Sequence, residues 1–436
     1  MDAPAYFKGK KITVMGLGLL GRGVGDAKYL AECGAELIIT DLKSETELAE
    51  SVAQLKDATN VEFVLGQHRL EDFRDRDLIL KAAGVPLDSP YILEAKKNGI
   101  PVRMSADLFM ELSGVPCVGI TGTRGKSTVA HMLHAILKGA RGKVLLGGNV
   151  RGVSTLALLK EATPEHTVIL ELDSWQLQGF GEARLSPHIA VFTSFYPDHL
   201  NYYKGDMDAY LTDKVNIFRF QTPVDTLIVG KQCAATIIER YGDKIDSKMQ
   251  IVDELKLPDT WVLPVPGVHN RYDAALALAA ARELSVADEA SRKALESFAS
   301  VPGRLELVRK VKGVEIYNDT TATTPEATLA ALSALGSAGT VLIMGGTDKN
   351  LDMSALVAKL PGVKKLIFLA GNGTDRIKGE FPEAHVHNSL KSALDEAVVA
   401  AEKGDVILFS PAFTSFGMFK NEFDRGDQFN AIVEKL

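Results

Sequence analysis

The chain has 436 residues, of which 46% are hydrophobic and 24% are charged. This length is too great for a single core, so we expect two or three domains with the composition of a water-soluble globular protein. The net charge of −7 argues against nonspecific binding to nucleic acid, and no apolar run in the sequence is long enough to span a bilayer.

The cysteines and the N-terminus indicate the compartment. Cys33, Cys117 and Cys233 are far apart in the sequence and stand in apolar surroundings. They predict buried thiols in a reducing compartment, without disulfides and without metal-ligand spacing. The N-terminus has no basic-then-apolar signal pattern. We therefore expect a cytoplasmic protein. We also expect a monomer that neither inserts into membranes nor binds nucleic acid.

The first hundred residues have the pattern of a nucleotide-binding βαβ unit. A β-rich run, Lys11–Gly16, leads into glycines at G-x-G-x-x-G spacing (Gly16, Gly18 and Gly21), and the next strand, Glu36–Asp41, ends in an acid. Further strands are predicted at 61–65 and 77–82. The pattern also fits an NAD-dependent oxidoreductase. The segment is short, however, and a second phosphate loop follows it directly, which favours a domain that holds a substrate nucleotide.

That second loop is the most informative motif in the chain. An apolar strand, Val115–Thr121, runs into a glycine-rich turn, and a helical pattern begins near Lys126. Glycines let the backbone approach an anion, and the N–H groups of a first helical turn point at it. Lys126 would add charge at the terminal phosphates, and Ser127 or Thr128 would offer a hydroxyl to Mg²⁺. Although Ile120 stands where a strict P-loop has its first glycine, the pattern predicts a nucleoside triphosphate site.

Strands alternate with helices through the rest of the middle segment, which predicts a largely parallel sheet. These strands are expected at 143–146, 167–172, 189–194 and 226–230. Open sheets of this kind bind ligands at the carboxyl ends of their strands, so the site residues should lie there. Glu171 ends one strand beside the phosphate loop, and its carboxylate is a natural ligand for Mg²⁺.

The last segment begins near Pro302 and Gly303, which predict a hinge between domains. Arg304 follows the hinge and is placed to reach a phosphate. Strand-to-loop patterns are predicted at 314–320, 341–349 and 405–411. Lys349 follows the second of these strands and is placed to pair with an amino-acid carboxylate.

The phosphate loop resembles a family motif. Gly122–Thr128 resembles the G-T-x-G-K-[ST] variant that marks the Mur ligase superfamily of ATP-dependent amide ligases, with Arg124 where the motif usually has Asn. Glu171–Leu177 resembles that family's E-L-S-S-F-Q-L segment, with Asp173 in place of a serine. The resemblance covers nearly the whole chain. It implies an α/β fold of three domains: a Rossmann-like UDP-binding domain (1–107), a central P-loop-type ATPase domain (108–302) and a Rossmann-like amino-acid-binding domain (303–436).

The resemblance also implies the cofactors ATP and two Mg²⁺ ions, with a carbamylated lysine at Lys214. It assigns ATP binding to Gly122, Thr123, Gly125, Lys126, Ser127, Thr128, Asn149, Asn270, Asp273, Arg304 and Asp319. It assigns metal binding to Ser127, Glu171, His199 and Lys214, and catalysis to Lys126, His199, Lys214 and Arg304. Asp273 stands where the family has a second asparagine.

Substrate binding follows from the same resemblance. The UDP part of the substrate is assigned to Leu19, Leu20, Asp41, Lys43 and Gly84, and its remainder to Asn149 and Asp173. The tail Ser410–Gly426 resembles that of the D-glutamate-adding members, which assigns the amino acid to Thr323, Lys349, Ser415 and Phe423. Thr321 and Gly417 replace a lysine and an aspartate of many members. The implied substrates are UDP-N-acetylmuramoyl-L-alanine and D-glutamate, joined through an acyl phosphate.

Three alternatives stay open on the sequence. Another Mur-type ligase, which adds a different amino acid or extends a polyglutamate chain, would use the same centre. An oxidoreductase would bind nicotinamide at the first glycine motif. A nucleotide-dependent switch would hydrolyse ATP slowly and would not respond to amino acids.

Overall fold

The computed structural model describes residues 2–19 and 21–436, and it contains three β-sheets with helices packed on them. The chain divides into two compact units, Met1–Asp259 with Tyr272–Leu295 and Thr260–Arg271 with Glu296–Leu436. The first two sheets belong to the first unit and the third sheet to the second. The predicted α/β fold of three domains is confirmed, while the domain limits at 107/108 and 302/303 stay predictions.

The first sheet has five strands, all parallel. They are β1 (Lys11–Met15), β2 (Glu36–Asp41), β3 (Val61–Leu65), β4 (Leu78–Lys81) and β5 (Val102–Arg103). Their order, β3-β2-β1-β4-β5, is the order of a Rossmann sheet, as the glycine motif predicts. The accompanying helices are α1 (Ala3–Phe7), α2 (Arg22–Glu32), α3 (Ala49–Ala53), α4 (Pro90–Lys97) and α5 (Ser105–Ser113). Strands β1 and β2 are buried along nearly their whole length, which explains their continuous apolar sequence.

The second sheet has six parallel strands. They are β6 (Cys117–Thr121), β7 (Val144–Gly148), β8 (Thr167–Glu171), β9 (Ile189–Phe192), β10 (Thr226–Gly230) and β11 (Lys248–Val252). The order is β11-β10-β9-β6-β8-β7, so β6 lies between β9 and β8. The helices that follow in the chain are α6 (Lys126–Arg141), α7 (Ser174–Ala183), α8 (Met207–Val215), α9 (Lys231–Tyr241), α10 (Val268–Glu283) and α11 (Asp288–Glu296). This order brings the carboxyl ends of β9, β6 and β8 side by side, and each of these strands leads to predicted site residues.

The third sheet has six strands. They are β12 (Glu306–Val311), β13 (Val314–Asn318), β14 (Thr340–Gly345), β15 (Lys365–Leu369), β16 (Val386–His387) and β17 (Val406–Phe409). In the order β12-β13-β17-β14-β15-β16, only β12 is antiparallel to its neighbour. The helices of this part are α12 (Pro325–Leu335), α13 (Ser354–Val357), α14 (Asn372–Ile377), α15 (Leu390–Ala400) and α16 (Glu422–Val433). Buried residues of α15 and α16 share one core with β14, β15 and β17.

The cysteines and the helices bear on two of the expectations from composition. Cys117 and Cys233 are buried free thiols as predicted, but Cys33 is only half-buried, because it lies just beyond the last turn of α2. Among the described residues, no helix combines the length and the hydropathy that a membrane crossing requires.

Candidate active site

The glycine-rich turn joins β6 to α6, and residues that follow β9 hold it in place. Thr123 N donates to Ser194 O at 2.7 Å, and Arg124 N donates to Ser194 Oγ at 2.9 Å. A side chain at Gly122 would overlap Thr193 Oγ1, so this path of the backbone requires glycine. The turn is therefore fixed at the start of a 16-residue helix, an arrangement that binds phosphate.

Two lysines meet at one carbonyl of this turn. Lys126 Nζ donates to Gly122 O at 3.1 Å and to Thr123 O at 3.2 Å. Lys214 Nζ, from α8, donates to the same Gly122 O at 2.9 Å. The structure thus brings together two predicted catalytic residues that lie far apart in the sequence.

Lys214 is 1% exposed, which is rare for a lysine. Burial is the main reason that the pKa of Lys214 lies well below its usual range, and the positive charge of nearby Lys126 is the second. A lower pKa favours the neutral amine, which is the nucleophilic form of lysine. This side chain is therefore suited to react with an electrophile.

Arg124 stands where the family motif has asparagine, and it binds the segment that carries His199. Its Nη2 lies 3.4 Å from Asp198 Oδ2, while Asp198 Oδ1 accepts a hydrogen bond from His199 N at 2.9 Å. The His199 ring packs against Trp175, with 4.7 Å between ring centroids. The arginine therefore connects the phosphate loop to the predicted histidine.

Glu171 ends β8 beside Ile120 of β6, and the Glu171 side chain is buried. Ser127 lies in the first turn of α6. The carboxylate and the hydroxyl are hard oxygen donors, so both suit Mg²⁺. The ammonium of Lys214 does not suit a cation, and it would become an oxygen donor only after carbamylation.

Asp273 and Asn270 were both predicted to serve the nucleotide. Asp273 lies against the phosphate loop, so close that a side chain at Gly125 would overlap its carboxylate. Asn270, which belongs to the second unit, donates from Nδ2 to Pro266 O at 2.6 Å. Its amide thus closes the turn that precedes the body of α10.

In the first sheet, the Asp41 carboxylate binds the backbone of the glycine motif. Oδ2 accepts from Leu17 N at 2.9 Å and from Gly18 N at 3.2 Å, and Oδ1 accepts from Lys43 N at 2.9 Å. Asp41 therefore fixes the loop on which Leu19 is exposed. Leu20, also predicted for the substrate, lies outside the described residues.

Helix α2 links the glycine motif to the second sheet, which carries the phosphate loop. The Arg22 guanidinium donates to Asn149 Oδ1, and Ser154 Oγ donates to Asp26 Oδ1 at 2.6 Å. Asn149 N in turn donates to Glu171 O at 2.6 Å. Asn149 therefore connects the two predicted nucleotide regions of the first unit. The sequence alone gave no signal for Arg22 or Asp26, because both look like ordinary helix residues.

Lys81 is a further residue that sequence reasoning missed. It ends β4 opposite Met15, which directly precedes the glycine motif, and its side chain is 3% exposed. Its Nζ donates to Val85 O at 3.0 Å. Burial lowers the pKa of Lys81 to about 8, although the carboxylates of Asp173, Asp107 and Asp213 act to raise it. A lysine at the end of the apolar run Leu78–Leu80 was the available signal.

Between pH 7 and pH 10.5, the free energy of unfolding of wild type is expected to rise relative to that of Lys81→Met by up to about 3 kcal/mol. The pKa of Lys81 is lower in the folded protein than in the unfolded chain, so the positive charge opposes folding fully below pH 8. This opposition fades as the pH rises from about 8 towards 10.5, and methionine has no charge to lose. Urea unfolding of both proteins at each end of this range measures the change. A stability difference between the two proteins that stays constant over the range would contradict the expectation.

In the second unit, two residues predicted for the amino acid meet. Lys349 Nζ donates to Thr323 Oγ1 at 3.3 Å. Ser415 is buried and lines a small cleft whose aromatic walls are Phe416 and Phe419. Phe423, predicted as a wall, lies in the first turn of α16.

Asp319 holds the segment that carries Arg304. Its Oδ1 accepts from Leu305 N at 3.0 Å, and its Oδ2 accepts from Ser410 Oγ at 2.8 Å. Burial raises the pKa of Asp319 to about 7. Thr321 donates from Oγ1 to Gly303 O at 3.0 Å, so this departure from the family pattern also braces the Arg304 segment.

Arg425 is fully buried beside the cleft, and sequence reasoning gave it no role. Its Nη2 donates to Thr320 O at 2.7 Å, and its Nη1 donates to Phe413 O at 3.2 Å. Burial lowers the pKa of its guanidinium to about 10. The side chain therefore joins the strand end after β13 to the tail that follows β17.

Arg425→Met is expected to destabilise the second unit by about 2 kcal/mol, because two buried carbonyls lose their donor. Arg376→Met is the matched control, since Arg376 is partly exposed and pairs with Asp348 at the surface. Thermal unfolding of both variants measures the difference. Equal midpoints for the two variants would show that the Arg425 hydrogen bonds add no stability.

Family models match three segments of the chain. They are the MurD-like N-terminal domain of Mur ligases over residues 10–104, the Mur ligase middle domain over 120–251, and the Mur ligase glutamate ligase domain over 303–413. These segments correspond to the three sheets described above.

Individual proteins match along almost the full length. A UDP-N-acetylmuramoylalanine--D-glutamate ligase of Roseiflexus sp. (strain RS-1) is 36% identical over 98% of this chain and 99% of its own. The protein of that name in Borreliella afzelii (strain PKo) is 34% identical over 98% of both chains. The solved structure of MurF ligase from Thermotoga maritima in complex with ADP has the same fold, with a TM-score of 0.61 and 16% identity over 100% of this chain and 97% of that one. Of the alternatives that the sequence left open, these matches favour a ligase over an oxidoreductase or a switch, and the chain belongs to the Mur ligase family.

Proposed function

We propose that this protein is an ATP-dependent ligase that joins D-glutamate to UDP-N-acetylmuramoyl-L-alanine in peptidoglycan precursor synthesis. The observation that carries the proposal is the meeting of Lys126 and buried Lys214 at Gly122 O of the phosphate loop. The name of the full-length relatives and the glutamate ligase domain support the choice of substrates.

In the first step, a carboxylate oxygen of the UDP substrate attacks the γ-phosphorus of ATP. The bond from that phosphorus to the bridging oxygen breaks, and an acyl phosphate and ADP form. Phosphoryl transfer depends mainly on positioning and on neutralising charge. Lys126 and the N–H groups at the start of α6 supply positive charge at the phosphates.

In the second step, the neutral amine of D-glutamate attacks the acyl carbon. The bond from carbon to the phosphate oxygen breaks, phosphate leaves, and the amine loses a proton as the amide forms. Lys349 and Thr323, which are hydrogen-bonded, would hold a carboxylate of the amino acid together with Ser415. Arg304, Asn270 and Asp319 keep the nucleotide roles that the family resemblance implies.

Lys214 would work as a carbamate. Its neutral amine attacks the carbon of CO₂, one C=O double bond opens onto its oxygen, and the nitrogen loses a proton, which converts the amine into an anionic carbamate. Burial supports this reaction because it favours the neutral amine. The carbamate, with Glu171, Ser127 and His199, would hold the two Mg²⁺ ions. When bound, these ions would offset the negative charge of the phosphoryl group that is transferred.

Phosphate release tests the proposal. The purified protein is given ATP, Mg²⁺ and UDP-N-acetylmuramoyl-L-alanine, with a panel of D- and L-amino acids. Release that requires both the UDP substrate and D-glutamate supports the proposal. Release with another amino acid would keep the chemistry and overturn the assignment of Thr323, Lys349 and Ser415. Release that needs neither the UDP substrate nor an amino acid would overturn the proposal in favour of simple ATP hydrolysis.

A further inference from the structure

Three side chains with metal-binding atoms meet at the edge of the third sheet, and none of them has a role in the proposed reaction. His387 ends β16, His385 directly precedes that strand, and Glu396 lies on α15. One ligand atom from each residue lies within 4.8 Å of the other two. His385 Nδ1 is 3.1 Å from Glu396 Oε1, and His387 Nε2 is 2.6 Å from Glu396 Oε2.

The backbone holds these residues in place. Phe368 N of β15 donates to His385 O at 2.9 Å, and Ala370 N donates to His387 O at 2.9 Å. The first of these bonds extends the pairing with β15 to His385, so the chain is extended there, and residues one position apart on extended chain point to the same side of a sheet. Glu396 comes from a helix whose buried residues pack on that sheet. The three donors are therefore preorganised by regular structure on both sides.

We propose that His385, His387 and Glu396 form a binding site for a divalent transition-metal ion, with Zn²⁺ as the ion that suits them best. Two imidazole nitrogens and one carboxylate make up a known type of zinc donor set, which leaves further positions for water. Nitrogen donors distinguish the site from one for Mg²⁺ or Ca²⁺, which prefer oxygen. The exposed ring of His385 gives an ion access from solvent. The bound ion ties the edge strand β16 to α15.

Lys365 competes with the ion for one ligand. Its Nζ lies 3.1 Å from Glu396 Oε1, so the carboxylate serves the lysine and both imidazoles at once. A metal ion requires neutral imidazoles and displaces the ammonium. Removing the Lys365 charge should therefore strengthen metal binding, whereas it would weaken a cluster that existed only as an ion pair.

The test is calorimetric titration of the chelator-treated, full-length protein with Zn²⁺, in excess Mg²⁺ to occupy oxygen-rich sites. Wild type is expected to bind one Zn²⁺ that His387→Ala and Glu396→Gln each bind about tenfold or more weakly. Lys365→Met is expected to bind this ion more tightly than wild type. His188→Ala is the matched control and should bind like wild type, since His188 pairs with Asp225 in the first unit.

Thermal unfolding of the metal-free variants shows whether each one is folded, so a lost site can be told from a lost fold. In folded protein, the melting temperature should rise with Zn²⁺ in wild type and not in Glu396→Gln. Equal Zn²⁺ affinity in wild type, His387→Ala and Glu396→Gln would overturn the proposal. Weaker binding by Lys365→Met would also overturn it, because the cluster would then need the lysine that the ion has to displace.

Discussion

Lys126→Ala is expected to lower kcat for ATP-dependent phosphate release by about 10³-fold or more. The lysine is held at the phosphate loop by Gly122 O and Thr123 O, so its charge is already positioned where phosphoryl transfer takes place. Alanine removes that charge and leaves the glycine turn held by Thr193 and Ser194. Initial rates at saturating ATP and UDP substrate measure the loss.

Lys138→Ala is the matched control for this variant, since Lys138 lies in the exposed last turn of the same helix. It should keep wild-type activity within about twofold. If Lys126→Ala retained a rate within about tenfold of wild type, the loop would not supply the positive charge that the mechanism requires.

Lys214→Ala is expected to lower kcat by about 10²-fold or more, because the proposed carbamate is lost. Small carboxylic acids should restore part of the activity, since a free carboxylate can take the place of the carbamate. Wild type should in turn lose activity in buffers freed of CO₂ and recover it with bicarbonate. Phosphate release with and without each additive measures both effects.

The matched control for Lys214→Ala is Lys204→Ala, because the side chain of Lys204 is 84% exposed. This variant should keep its rate and should not respond to added acids. Wild-type activity of Lys214→Ala in the absence of both bicarbonate and carboxylic acids would contradict the proposed role of Lys214.

Much of the fold could be predicted because buried parallel strands have continuous apolar sequences. Strands β2, β3 and β10 have the bounds that the sequence predicted. Strands β5 and β16, with two residues each, are too short to produce a pattern. Strands β11 and β12 are edge strands with exposed residues, so their sequences resemble loops. The structure thus adds mainly the edges of the sheets.

The candidate site was predictable where a motif marks it, but its hydrogen bonds were not. The pairs Lys126–Lys214 and Thr323–Lys349 join residues that the family motifs had named. Asp41, in contrast, directs both of its oxygens to the backbone, which its position at a strand end could not reveal. The partners of such side chains are set by tertiary packing, and one sequence does not contain that information.

The buried cations show the same limit. The burial of Lys81 and Arg425 is unusual, since charged side chains are seldom fully buried unless they have partners. Their partners include backbone carbonyls, and a carbonyl has no residue-type signature in a sequence. Only the fold shows that these two residues are enclosed.

Isotope transfer tests the central claim, that the loop around Lys126 and Lys214 phosphorylates a substrate carboxylate. UDP-N-acetylmuramoyl-L-alanine labelled with ¹⁸O in its carboxylate is incubated with the protein, ATP, Mg²⁺ and D-glutamate. We expect one ¹⁸O atom in each released phosphate and one glutamyl residue added to the UDP substrate. Unlabelled phosphate, with the UDP substrate unchanged in mass, would contradict ligation through an acyl phosphate.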